Sequence, residues 1–193
     1  AHGQALEDSL RAALEGDLVT LQKLLERGSS PDTTDAEGNT LMMLAARNGH
    51  LKVVEYLFAN KASISRRSRV GDTALMAASL KGEIPVAQFL LDKGAELDPQ
   101  GWTPLHYAAF EGRTEMATFL LKRGANKDAI APNLYTPLMV AIRGGHVDAA
   151  RAILYADPDV TYKTPDGDTA LKLATAKGFL PMVELLKRAG ARE

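Results

Sequence analysis

The chain has 193 residues, 46% hydrophobic, 24% charged and 6% aromatic, which suits one domain with a sizeable core or a one-dimensional array. Its 23 basic and 24 acidic residues leave a formal charge of −1, so no global electrostatic draw to nucleic acid or to an anionic membrane is expected. With no cysteine, disulfides, thiolate metal sites and cysteine nucleophiles are excluded, and no apolar run approaches the roughly 18 residues of a membrane span.

The chain opens 1-AHGQALEDSL-10, without methionine and with small residues at Ala1, Gly3 and Ala5. Two expectations stand side by side for this end: the tail of a signal peptide, implying export to a periplasm, or a tag remnant or trimmed fragment on a cytoplasmic chain. Beyond it a pattern begins. Ala12/Ala13, Gly16, Leu24/Leu25 and Gly28 recur in register further along, so residues 5–35 read as a first unit. Thr103 of 101-GWTPLHYAAFEG-112 marks the fullest version of the pattern, which returns as 40-TLMMLAA-46, 73-TALMAAS-79, 136-TPLMVAI-142 and 169-TALKLAT-175. The marker threonines are spaced by 33, 30, 33 and 33 residues.

Each copy predicts two short helices. Threonine caps the first, and proline in its first turn removes no hydrogen bond that the helix would have made. Glycine nine residues after the threonine (Gly49, Gly82, Gly112, Gly145, Gly178) ends that helix. Stretches such as 51-LKVVEYLFAN-60 and 114-TEMATFLLKR-123 then carry apolar residues at helical spacing, and Gly28, Gly94, Gly124 or Gly190 closes the second helix before a polar loop. A unit of this size cannot bury its own apolar face, so copies must stack on their neighbours. The expectation is an all-α array, with units at about 5–35, 36–68, 69–98, 99–131, 132–164 and 165–193 and the first and last as caps.

The period, together with T-P-L-H-x-A-A, resembles the ankyrin repeat. That resemblance implies a solenoid of helix–turn–helix units with hairpin-like loops, a non-enzymatic role as a protein-binding scaffold, and a structural histidine in TPLH that bonds backbone and joins adjacent repeats. His106 is the one copy here, with Met43, Met76 and Met139 in its place elsewhere and Lys172 in the last unit, whose outer face must be soluble.

Departures from the period mark irregular places. Three residues are missing near 95-AELDPQGW-102, which predicts a shortened loop. Lys61 and Asp157 replace the glycine closing the second helix, so those ends are expected to be made differently, with Asp157-Pro158 forming a turn of its own. Leu134 replaces the glycine found two residues before the other markers (Gly38, Gly71, Gly101, Gly167), predicting an altered loop tip.

Chemistry is hard to find. Phosphate loops, dinucleotide fingerprints, H-E-x-x-H and nucleophile elbows are absent, and His50 and His146 stand in repeats too far apart to share a metal, so no cofactor or metal is expected. Asp32, Asp35, Asp98, Asp128, Asp166 and Asp168 cluster in the loops, where aspartate makes turns more readily than acid/base pairs. The basic run at Arg66, Arg67 and Arg69 gives the alternative function, a sensor of a small anion or nucleotide phosphate.

In the family, contact residues fall just before the marker threonine and seven and eight residues after it. Carried over position by position, the resemblance implies a partner-binding set of Arg47, Arg69, Asp72, Leu80, Lys81, Trp102, Phe110, Glu111, Tyr135 and Arg143. The single tryptophan, Phe110 and Tyr135 fall in adjacent units with Leu80 beside them, which suggests an apolar anchor with a charged rim. The competing arrangement has Trp102 covering the shortened loop and Phe110 packed between helices. A monomer binding a protein partner, without nucleic acid or membrane, is the resulting expectation.

Overall fold

The computed structural model describes residues 2–192, the His2 side chain excepted; the signal-peptide reading of Ala1 therefore falls outside the described residues. Every regular element is helical, in pairs joined by short turns. The first unit, ending at Glu96, contains α1 (His2–Glu15), α2 (Leu18–Glu26), α3 (Leu41–Arg47), α4 (Leu51–Ala59), α5 (Ala74–Lys81) and α6 (Ile84–Asp92). The second, starting at Leu97, contains α7 (Pro104–Phe110), α8 (Thr114–Lys122), α9 (Pro137–Arg143), α10 (Val147–Leu154), α11 (Ala170–Lys177) and α12 (Leu180–Arg188). The boundary lies in the loop where the sequence is three residues short. Among the described residues the only bridge between extended segments is Thr34 with Thr40, and no helix is long and apolar enough to cross a membrane.

Within each unit the first helices of the pairs form one row and the second helices another. In the first unit α3 packs on α1, α4 and α5, while α2 and α6 both pack on α4; in the second, α9 packs on α7, α10 and α11, while α8 and α12 both pack on α10. The sequence explains this layering. The inner first helices are short and largely buried: Leu41 to Ala46 of α3 and Pro137 to Ile142 of α9 are buried without a break, because both faces meet neighbouring repeats, whereas α1 and α11 leave much of their surface exposed. The second helices bury one stripe each, such as Val53, Val54 and Leu57 in α4 or Met116, Ala117 and Leu120 in α8. Marker threonines cap as expected: the Oγ of Thr40, Thr73, Thr103, Thr136 and Thr169 each accepts the backbone N–H three residues on. Lys172 is exposed, as the sequence suggests for the last repeat.

Two expectations are corrected. Lys61 does not end its helix differently, and Asp157 differs only in one missing bond; both take the left-handed conformation that glycine takes elsewhere, with φ of 68° and 61°. Lys61 N–H bonds Phe58 C=O and Ala62 N–H bonds Leu57 C=O, as Gly94 and Ala95 bond Leu91 and Leu90 in the next repeat. Asp157 makes the first of these bonds, to Leu154, while Pro158 has no N–H to make the second. Leu134 likewise leaves its tip unaltered. At φ 72° its N–H bonds Ala131 C=O, the turn that Gly38, Gly71 and Gly167 make to Asp35, Ser68 and Thr164. Packing of the repeats on both sides imposes the backbone, and the side chain bears the strain. Lys61→Gly and Leu134→Gly should therefore stabilise the protein slightly, by up to about 1 kcal/mol each, since relief of left-handed strain exceeds the added flexibility of the unfolded chain. Denaturant melts read the effect; a loss of stability in both variants would contradict it.

Candidate functional site

The centre of the second unit is built around His106. Fully buried in α7, it faces Thr103 on one side and the next repeat on the other. Its Nε2 donates to Tyr135 C=O at 3.0 Å, and its Nδ1 therefore accepts from Thr103, whose Oγ1 lies at 2.8 Å and N at 3.4 Å. Burial holds the imidazole neutral and pulls its pKa down to about 4. Met43 and Met76 keep half of this role: their sulfurs accept the N–H of Thr40 and Thr73 at 3.4 Å, but a thioether cannot donate to the following repeat. His106 is thus a structural tie.

Tyr135 sits at the end of that tie. Sequence placement suggested an exposed ring on the contact face, yet only 8% of Tyr135 is exposed. Its hydroxyl donates to Asp168 Oδ2 at 2.6 Å, and this bond, followed by burial and the Asp168 charge, raises its pKa. The Arg143 guanidinium lies over its ring, 5.4 Å from the centroid. Phe110, by contrast, is 60% exposed and does not pack between helices. Trp102 is half-buried, with its ring edge-on to His106 at 5.7 Å.

These side chains enclose a cleft of about 430 Å³ lined by Trp102, Phe110, Asn133, Tyr135, Val140, Arg143 and Gly144. Of the residues expected from the sequence, the structure brings Trp102, Phe110, Tyr135 and Arg143 together here; Glu111 is exposed beside Phe110 but does not line the cleft. Leu80, Lys81, Arg47, Arg69 and Asp72 belong to the first unit. There Leu80 and Arg47 are half-buried, Lys81 and Arg69 are exposed, and Arg69 N–H bonds Glu37 C=O of the preceding tip. Val140 and Gly144 were not picked out from the sequence. Gly144 has an ordinary φ of −77°, but a Cβ there would strike the His146 ring. Its signal was a doubled glycine, 144-GG-145, where one suffices for the turn.

The loop aspartates join repeats rather than pairing for catalysis. Asp32 accepts the N–H of Ser63, Asp98 that of Asn126 and Asp128 that of Asp159, at 2.9, 2.8 and 2.7 Å, each linking one loop to the next. Asp35 closes its own tip, accepting from Glu37 and Asn39. No three metal-ligating side chains cluster among the described residues. His50 and His146 instead reach back one repeat, their Nε2 bonding Leu14 C=O and Phe110 C=O, both at 2.9 Å. In the basic loop, Arg67 donates to Gly71 C=O of its own turn at 2.7 Å, while Arg66 and Arg69 are exposed. Nothing in this geometry or in the comparisons below supports an anion site there.

Repeated helix pairs, threonine-capped first helices, left-handed turns and an inter-repeat TPLH histidine define an ankyrin-type solenoid. Comparison agrees: models of ankyrin repeats match residues 10–100 and 66–131 in three-copy form and 120–174 in many-copy form, so the chain belongs to the ankyrin repeat family. No curated protein matches. Among solved structures, the crystal structure of the human ASB11 ankyrin repeat domain is similar, with 27% identity and a TM-score of 0.87 over 95% of this chain and 84% of that one. Repeats of this kind are generally protein-interaction scaffolds, typically without enzymatic activity.

Proposed function

We propose that the chain is a non-enzymatic scaffold that holds a segment of a protein partner in the cleft of the second unit, anchored on Trp102 and Phe110 with Tyr135 as the floor. The observation that carries this reading is Phe110: a phenylalanine 60% exposed beside a half-buried tryptophan in a formed cleft. Exposed aromatic rings are costly to leave in water and bury much area for little lost rotamer freedom, which makes them typical binding anchors.

The experiment selects binders from a displayed random-peptide library and compares wild type with the Trp102→Ala/Phe110→Ala double variant by calorimetry. Loss of two anchors should weaken binding by at least about 30-fold. Because Trp102 touches His106, Phe110→Ala alone serves as the control that leaves the fold intact, and it should weaken the same peptides. Selected peptides that bind all three proteins equally would refute the cleft as the contact surface.

A further inference from the structure

Resting on the cleft reading, we infer that this cleft recognises a carboxylate set beside an apolar side chain: an acidic peptide segment in which Glu or Asp neighbours an aromatic or aliphatic residue. Of the polar side chains lining the cleft, all but Tyr135, whose hydroxyl proton goes to Asp168, can donate to a ligand. Arg143 carries five N–H groups and no acceptor, lies over the Tyr135 ring, and makes no ion pair among the described residues. Asn133 spends its oxygen on the Tyr135 N–H at 3.1 Å, which leaves its NH₂ group to offer. The Trp102 indole adds a third group that can only donate.

Carboxylates in the neighbourhood do not satisfy these donors. Asp168 holds the Tyr135 hydroxyl, and neither it, Asp166 nor Glu111 lines the cleft. A cationic ligand entering here would meet Arg143. A purely apolar ligand would cover the guanidinium with no acceptor, which is unfavourable for a desolvated charge. A carboxylate accepts from the guanidinium fork, which the ring beneath already orients, so little further side-chain freedom is lost on pairing. Phe110, Trp102 and Val140 then take the apolar neighbour.

The test uses three synthetic octapeptides with blocked ends, identical except for Glu, Gln or Lys beside a central Phe. The sequence contains one tryptophan, so its indole N–H resonance reports binding at the cleft without ambiguity. The Glu peptide should shift that resonance and bind about tenfold more tightly than the Gln peptide, with Lys weakest. Arg143→Gln should weaken the Glu peptide more than the Gln peptide and so erase the preference between them, and Arg143→Glu should reverse the order in favour of Lys. Equal binding of Glu and Gln, an Arg143→Gln effect shared by all three, or no indole shift at millimolar peptide would overturn the inference. If library-selected peptides still depend on Phe110 in that event, the cleft stands without its carboxylate preference; if they do not, the cleft itself falls.

Discussion

Gly112→Ala should cost about 2–3 kcal/mol, while Gly178→Ala, at nearly the same φ, should cost only about 1 kcal/mol. Both glycines are left-handed, with φ of 69° and 71°. The difference lies in what surrounds them. A Cβ on Gly178 meets nothing, whereas one on Gly112 enters the imidazole of His146, which is tethered to Phe110 C=O. The ring also lies against Gly144, so its escape is restricted and the tether must break. Gly49→Ala separates the two causes further: the obstacle there is the Glu83 carboxylate, the far end of a flexible side chain that can swing aside, so its cost should resemble that of Gly178→Ala. Gly16→Ala, under the ring of His50 bonded to Leu14 C=O, should resemble Gly112→Ala. Urea melts of the four variants decide the matter, and four equal losses would show that backbone strain alone sets the cost.

The protein should also lose about 3 kcal/mol of stability to acid through His106 alone. Its folded pKa is about 4, below the 6.5 of an unburied histidine. Because the folded state binds the proton less readily than the unfolded chain, the contribution is fully present above about pH 6.5 and disappears as pH falls towards 4. Protonation would also place a donor on Nδ1, where Thr103 N–H already points. His106→Met imitates Met43 and Met76: it keeps an acceptor for the cap but gives up the bond to Tyr135 C=O. That variant should be about 1 kcal/mol less stable at neutral pH, since Ala131 N–H still serves the same carbonyl. Its stability should then fall less steeply than wild type between pH 6.5 and 4, so that the two curves cross and the variant is the more stable near pH 4. Parallel curves would mean that His106 does not carry the acid sensitivity.

The repeat was legible because it is written in residue types with narrow physical roles. Threonine before a buried run caps a helix, glycine nine residues on makes a left-handed turn, and leucine at helical spacing needs a neighbour to cover it; their recurrence exposed the array without reference to any contact. The family's contact pattern also reached four of the seven residues lining the cleft through its partner-binding set. The misreadings share one cause. Glycine reports a conformation only where the chain is free to choose it, and at Lys61, Leu134 and Asp157 the stacked repeats on either side impose the same backbone on residues that resist it. Tyr135 is less exposed than its repeat position alone implies, at 8%, and its hydroxyl is satisfied by Asp168, 33 residues later, a partner that periodicity does not reveal.

Local pattern by itself determined that this chain forms paired helices, where the capped first helices begin, and which faces must be covered. Tertiary structure alone decided the couplings between repeats: the histidines seated over the previous glycine, the aspartates holding the next loop, the guanidinium laid across a tyrosine ring. Periodicity records what every copy does alike, whereas a binding cleft comes from what one copy does differently beside its neighbour, and that difference has no meaning until the two are packed together.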